Sequence, residues 1–180
     1  MRIISGTHKG RRIIAPKNLP VRPTTDMAKE SLFNILNNQF YFDEIRVLDL
    51  FAGTGNMSFE FASRGCTDIT SVDSHPGCIK FIGTKAAEWD FKIKAVKMDV
   101  FKFLETVRDN YDLIFVDPPY DLSLEKFCDI HKLVYDRNIL VPSGTLIIEH
   151  SKQMDLSHLN HHTSTRKYGS SLFSFFQSEE

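Results

Sequence analysis

Apolar positions along this chain gather into short runs, separated by amphipathic stretches of helical length. Residues 46–51, Arg-Val-Leu-Asp-Leu-Phe, form the first strongly apolar run, and 69–73, Ile-Thr-Ser-Val-Asp, the second. Residues 92–97 alternate lysine with apolar residues, as a half-exposed strand does, and lead into Met98-Asp99-Val100-Phe101. A fourth run, 112–116, is β-branched and aromatic, and Asp117-Pro118-Pro119-Tyr120 stops it. Residues 144–149 make a fifth buried strand; a polar edge strand within 156–167 and an aromatic strand over 172–176 follow. Helical character falls at 56–64, 76–89 and 123–135, with Pro76 tolerated in a first turn. Upstream, Thr24-Thr25-Asp26 offers an N-cap to a helix reaching residue 38, its packing stripe being Met27, Ser31, Leu32, Phe33, Ile35 and Leu36.

Strands and helices that alternate at this spacing predict an α/β fold: a doubly wound, Rossmann-like sheet of seven strands, helices on both faces, with an antiparallel element near the end. Ahead of it, runs at 2–6 and 11–15 flank Thr7-His8-Lys9-Gly10 and predict a β-hairpin, followed by a connector over 16–23. A lone hairpin is marginal in water and has to pack on the body or on a partner. The expected division is therefore a basic hairpin and connector, 1–23, and a sheet domain, 24–180.

With 180 residues, 42% hydrophobic and 25% charged, the composition is that of one globular domain. No apolar run approaches the ~20 residues of a membrane span, and the first residues lack a secretory h-region, so the expected location is cytoplasmic. Cys66, Cys78 and Cys128 have no metal or disulfide spacing and are expected to be small buried hydrophobes. His158, His161 and His162 lack an accompanying ligand pattern, so no metal site is expected. The net charge of −1 excludes a uniformly basic nucleic-acid binder. Its distribution changes that picture, because Arg2, Lys9, Arg11, Arg12, Lys17 and Arg22 fall within the first 25 residues, which hold no acid. Such a block is the footprint of a phosphate-contacting patch, with Arg2, Lys9, Arg11, Arg12 and Arg22 as candidate RNA contacts.

Two stretches carry candidate chemistry. Ala52-Gly53-Thr54-Gly55 joins a strand to a helix, the unit that sets a ligand before a helix N-terminus. Ser58 stands where a dinucleotide fingerprint needs its third glycine, and no Lys-Ser/Thr pair follows as a phosphate loop needs. Asp49 would repel a pyrophosphate but suits a ligand with an ammonium and a sulfonium group. Asp73 stands 20 residues after Gly53, near the spacing of a ribose-binding acid. With Asp99 and Asp117, four acids close strands at one sheet edge, a crowding that costs stability unless ligands compensate it. At Asp117-Pro118-Pro119-Tyr120 the prolines make a rigid turn whose carbonyls have no helix to satisfy them. One carboxylate, one fixed carbonyl and one ring suit a planar group bearing an exocyclic amine, such as a nucleobase.

Asp49-Leu50-Phe51-Ala52-Gly53-Thr54-Gly55 resembles the first motif of class I S-adenosylmethionine-dependent methyltransferases, and Asp117-Pro118-Pro119-Tyr120 resembles their amino-methyltransferase motif. Further landmarks are Arg2 to Gly6 with Gly10-Arg11, Arg22-Pro23-Thr24-Thr25-Asp26, Glu30 to Leu36, Ser63-Arg64-Gly65 and Lys167-Tyr168-Gly169. Together they are similar to the bacterial family that methylates N2 of a guanine in 16S ribosomal RNA, the guanine(966)-N2 methyltransferases. That resemblance implies S-adenosyl-L-methionine as cofactor. It implies that Asp49, Gly53 and Gly55 hold the methionine end, Asp73 the ribose and Asp99 the adenine amine, with Val100 and Phe101 flanking the ring. Asp117 and the Pro118 carbonyl would receive the guanine amino hydrogens, Tyr120 would stack on the base, and Arg22, Thr24 and Thr25 would close over the site. Thr54, the run Asn56-Met57-Ser58 and the choice of Asp at 73 depart from the family pattern while keeping acceptor roles.

The implied partner is 16S ribosomal RNA within a small ribosomal subunit or assembly intermediate, met by a monomer. Two other readings stay open: a DNA adenine-N6 or cytosine-N4 methyltransferase, and a non-catalytic ribosome-binding module. The short chain leaves little room for the target-recognition region of the first, and the intact acids speak against the second.

Overall fold

The computed structural model describes residues 1–20 and 24–178. Its sheet contains β1 (Arg46–Leu50), β2 (Asp68–Asp73), β3 (Ile93–Lys97), β4 (Tyr111–Val116), β5 (Leu140–His150), β6 (His162–Tyr168) and β7 (Ser171–Gln177). Their order is β3-β2-β1-β4-β5-β7-β6, as the seven-stranded doubly wound expectation requires. Strands β1 to β5 pair in parallel, whereas β7 runs antiparallel to both β5 and β6. The order reverses between β1 and β4, and the carboxyl ends beside that reversal are where doubly wound sheets bind ligands.

The helices are α1 (Asp26–Leu36), α2 (Asn56–Ser63), α3 (Pro76–Glu88), α4 (Val100–Thr106) and α5 (Leu124–Asp136). Period-two alternation sorts the central strands between two cores. Leu48, Leu50, Ile114 and Val116 pack with Leu104 of α4 and Phe127, Ile130 and Val134 of α5. Val47, Leu113, Phe115 and Ile147 pack on the other face with Leu32 and Phe33 of α1 and Met57 and Phe61 of α2. Asp49 lies between Val47 and the turn on this second face, so its carboxylate points toward α2. No described helix is long and apolar enough to cross a membrane.

Three local expectations change. Residues 100–106 are helical, begun by Asp99, whose carboxylate caps Lys102 N–H at 3.1 Å, rather than the tail of a strand. Met27 is 63% exposed, and α1 buries Ala28 and Lys29 beside Leu32, Phe33 and Leu36. Cys66 and Cys78 are buried, but Cys128 is only half-buried.

The N-terminal turn pairs over less length than two strands would, because its backbone donors have another acceptor. Arg2 and Arg12 make a single antiparallel bridge, with Ile3 N–H donating to Arg11 O and Ile13 N–H to Met1 O, each at 2.9 Å. The next donors, Ile4 N–H and Ser5 N–H, turn to the Glu60 carboxylate at 2.9 and 3.1 Å. Lys29 reaches the same carboxylate at 3.4 Å and donates to Arg2 O at 2.6 Å. Burial lowers the Lys29 pKa against the opposing pull of Glu60. Ile3 and Ile13 fill the space above Phe59, Ile82 and Ala86, so α2 is buried on every side. At Gly6, φ is +85° and a Cβ would lie 1.8 Å from Ser63 O, a position only glycine fills.

Candidate active site

The loop leaving β1 is shaped by backbone conformation more than by glycine content. Phe51 (φ 57°), Gly53 (φ 55°) and Gly55 (φ 79°) are all left-handed, and the Phe51 conformation is costly for a residue with a side chain. Asp73, at the end of β2, holds this loop: its carboxylate accepts from Gly53 N–H at 2.9 Å and from His75 N–H at 2.8 Å. A Cβ at Gly55 would meet Phe59 and Ile82 at 2.9–3.0 Å, so the turn lies tight against α2 and α3. Helix α2 then starts with its N–H groups directed at the loop.

Asp49 is 2% exposed and accepts from both the N–H and the hydroxyl of Ser58, which in turn contacts Ser71 Oγ at 2.6 Å. Burial raises its carboxyl to about 7; the Ser58 bonds oppose this and Asp73 adds to it. A carboxylate held this way gains from a cationic ligand.

These groups line a cavity of about 590 Å³ that also receives Thr24, His75, Asp99, Val100 and the whole Asp117-to-Tyr120 turn. Such a volume holds a nucleoside-sized ligand. Three of its acids lie at the carboxyl ends of β1, β2 and β3 in a staggered row, since Asp49 pairs with Ser71 and Asp73 with Lys97, and Val100 supplies an apolar wall beside Asp99. Phe101 is not in this lining. It packs against the α4–α5 core with Lys126 Nζ 4.6 Å from its ring. Gly55 acts from behind, through the turn.

Past β4, the Asp117 N–H still donates to Leu50 O at 3.3 Å, fixing the turn to β1. The Pro119 carbonyl accepts from Leu122 N–H at 3.0 Å, so of the two proline carbonyls expected to be open this one is satisfied. Tyr120 is 61% exposed at the mouth. Burial raises the Asp117 carboxyl well above the usual range; Glu149 and Asp49 push the same way and the Thr24 hydroxyl opposes them. A second, small cleft of about 20 Å³ lies behind the turn, lined by Asp117, Pro118, Tyr120, Glu149, His150 and Met154 among others. Asp117 to Tyr120 is thus the wall between the two spaces.

Glu149, 8% exposed, accepts from the Thr24 hydroxyl at 3.0 Å. Sequence reading passed over it, although it stands next to last in β5 much as Asp117 follows β4; the same signal of an acid ending an apolar run was available. Asn56, read from the sequence only as a departure from the family pattern, accepts from Lys29 Nζ at 2.9 Å and donates to Thr24 O at 3.2 Å, linking the hairpin's buried anchor to the site.

Of the candidate RNA contacts, Arg2 and Arg12 line an open concavity with Thr24, Thr25 and Asp26. Arg2 also pairs with Asp26 at 3.1 Å, both half in solvent. Arg11 lies 5.6 Å over the Trp89 ring, and Lys9 is exposed. Arg22 lies outside the described residues. Elsewhere, His161 stacks on Tyr135 at 4.4 Å and His162 contacts Thr165 Oγ1 at 2.8 Å.

The family model described as Conserved hypothetical protein 95 matches residues 1–177. The putative rRNA methyltransferase YlbH of Bacillus subtilis is 34% identical over 161 residues, covering 87% of this chain and 85% of that one. Ribosomal RNA small subunit methyltransferase D of Escherichia coli is 32% identical over 153 residues, covering 83% of this chain and 74% of its own. Among solved structures, a putative methyltransferase, yhhF from Escherichia coli, superposes with a TM-score of 0.83 at 25% identity, over 99% of this chain and 98% of its own. The chain therefore belongs to the Conserved hypothetical protein 95 family, among bacterial rRNA methyltransferases, and is built on the class I methyltransferase fold.

Proposed function

We propose that this chain, an S-adenosyl-L-methionine-dependent rRNA methyltransferase by family and fold, methylates the exocyclic N2 of a guanine in 16S ribosomal RNA. The observation that carries the reading is the placement of Asp117 and Pro118 on the wall shared by the large cavity and the small cleft. A target amine at that wall would meet two fixed acceptors on its way to a methyl donor. The resemblance of the chain's landmarks to guanine-N2 enzymes favours guanine among the bases that carry such an amine.

When bound, S-adenosyl-L-methionine supplies an electrophilic methyl group. The cavity suits it: Asp49 is a buried acid facing a cationic end, Asp73 and Asp99 offer acceptors farther along, and Val100 gives an apolar wall. Asp73 accepts from Gly53 and His75 N–H, and its remaining lone pairs would be available to the ribose hydroxyls. At the other end, guanine N2 is a weak nucleophile because its lone pair is delocalised into the ring. Asp117 and the Pro118 carbonyl accept its two hydrogens, turn the lone pair outward and stabilise positive charge developing on nitrogen. A methyl group supplied to N2 would make one N2 proton acidic, and Asp117, already accepting from that hydrogen, would take it or pass it to water. Tyr120 gives the extruded base a face to stack on, since a base held in a helix cannot reach this wall.

The hairpin cations supply sequence-independent attraction for RNA phosphates, and the small ribosomal subunit is the proposed partner of the monomer. Labelled methyl donor offered to undermethylated small subunits, naked 16S ribosomal RNA and DNA tests the assignment. Label in RNA that Asp117→Ala abolishes supports it. Label in DNA alone, or RNA label indifferent to that substitution, contradicts it.

A further inference from the structure

Asn56 opens α2 at the edge of the large cavity, and both ends of its buried amide are engaged. Its Oδ1 accepts from Lys29 Nζ at 2.9 Å, and its Nδ2 donates to Thr24 O at 3.2 Å. The two ends cannot be exchanged: an ammonium only donates and a carbonyl oxygen only accepts, so the amide stands one way round. Lys29 is fixed in its turn. Its ammonium faces Asn56 Oδ1, Arg2 O at 2.6 Å and the Glu60 carboxylate at 3.4 Å, an acceptor for each of its hydrogens. Glu60 is held by Arg64 Nε at 2.8 Å and by the Ile4 and Ser5 N–H groups.

Thr24 is therefore pinned at two atoms. Asn56 holds its carbonyl from the α2 side, while its hydroxyl reaches Glu149 Oε2 at 3.0 Å. A β-branched side chain has few χ1 choices once its backbone is fixed, so the first contact steers the second. The charge on Lys29 polarises the amide between them and strengthens its N–H as a donor. An apolar side chain at the head of α2 would fill the same space but leave Thr24 O without this donor.

On the reading above that the Asp117 wall holds the target amine, on which this inference rests, we infer that Asn56 is a positioning residue for methyl transfer: by tying the Thr24 carbonyl to the buried Lys29 ammonium, it sets the Thr24 hydroxyl at that wall. Asn56 acts through Thr24 and needs no contact with the target base. The same hydroxyl favours the charged form of Asp117 against burial, Glu149 and Asp49, so a loosened Thr24 is felt at the acid that accepts the amine.

Asn56→Asp tests this with little change of shape. The new carboxylate still accepts from Lys29 and balances the charges of Lys29, Arg64 and Glu60, but it has no hydrogen for Thr24 O. Single-turnover methyl transfer to undermethylated small subunits, at saturating S-adenosyl-L-methionine, is measured in wild type, Asn56→Asp, Thr24→Val and the double variant. Each single variant is expected to lose about tenfold in rate. The double variant is expected to fall within about twofold of Thr24→Val, because the hydroxyl that Asn56 sets is already gone. Donor affinity should hold or tighten in Asn56→Asp, since an added carboxylate attracts a cationic ligand. Asn56→Ala, too short for either bond and without added charge, gives the same cycle should Asn56→Asp fold poorly. Its pH–rate profile should also show the acid limb moved to higher pH, as in Thr24→Val. Losses that multiply in the double variant, an acid limb that stays in place in Asn56→Ala, or weakened donor affinity would each overturn the inference, the last by making Asn56 part of the donor site. Asp117→Ala is run alongside: methyl transfer retained there defeats the reading of the wall, whereas a multiplicative cycle defeats only the role given to Asn56.

Discussion

The hydroxyl of Thr24 donates to the buried carboxylate of Glu149 across 3.0 Å, tying the entry to α1 to the end of β5, 125 positions later. The same hydroxyl lowers the proton affinity of Asp117. One hydroxyl proton is therefore shared between two neighbouring acids at the proposed target wall.

Thr24→Val keeps the shape and removes the donor. A hydrogen bond to a charged group contributes about 1.5–3 kcal/mol, and the variant is expected to lose that much unfolding free energy in a denaturant titration at neutral pH. The acid limb of its pH–rate profile should move to higher pH, because Asp117 loses an interaction that favours its charged form. An unchanged profile would separate Thr24 from the chemistry.

Lys29 and Glu60 are wholly buried and paired at 3.4 Å, and they anchor the hairpin through Arg2 O, Ile4 N–H and Ser5 N–H. Lys29→Met removes one of the two cations that hold Glu60, leaving Arg64 Nε at 2.8 Å, so the loss is expected to fall below the about 3–5 kcal/mol that an unpaired buried charge costs. Hydrogen exchange should quicken at the Ile4 and Ser5 amides before it does in β1 and β4. Retention of wild-type protection would contradict this anchoring role.

For Asp49, a pKa of about 7 gives two opposite pH trends. In the unliganded protein the folded value lies above that of the unfolded chain, near 4. The stability this contributes is full below about pH 4 and is lost as pH rises through about 7. Wild type should thus lose thermal stability relative to Asp49→Asn over that range. If Asp49 faces the cationic end of the donor, affinity for S-adenosyl-L-methionine should instead rise about tenfold between roughly pH 6 and 8, since it follows the ionised fraction. Calorimetric titration across that range checks both signs, and an affinity that is flat with pH would remove Asp49 from the donor site.

Neutralising a hairpin cation should act on RNA affinity without acting on the donor. Lys9→Ala and Arg12→Ala are each expected to lower the slope of log affinity against log salt by about 0.7–0.9 for every phosphate the side chain neutralises. Filter-binding or fluorescence titrations over a salt series read this directly. An unchanged slope in both would mark these cations as solvated.

Much of this arrangement was legible in the sequence because its signals are local. Val47 to Phe51 with the glycine turn, and Leu113 to Tyr120, are runs whose period and stops specify strand, turn and sheet edge without knowledge of distant residues. Helix α4 was hidden because Val100 and Phe101 continue an apolar strand pattern, and only the Asp99 cap reveals a change of direction. The Lys29–Glu60 pair was hidden for another reason: each residue looks like an ordinary charge on an amphipathic helix until the hairpin closes over them. The left-handed Phe51 likewise has no local signature, since its conformation is imposed by the turn around it. Glu149 was readable in principle, and the link to Thr24 is what the fold adds.

The central claim is that the wall formed by Asp117 and Pro118 presents a guanine amine to the donor cavity. It is tested most directly by incubating undermethylated small subunits with the protein and S-adenosyl-L-methionine, digesting the 16S ribosomal RNA to nucleosides and identifying the product by mass spectrometry. The account predicts N2-methylguanosine with the wild-type protein and its loss in Asp117→Ala. A methyl group on another atom or another base, or N2-methylguanosine formed equally by Asp117→Ala, would contradict it.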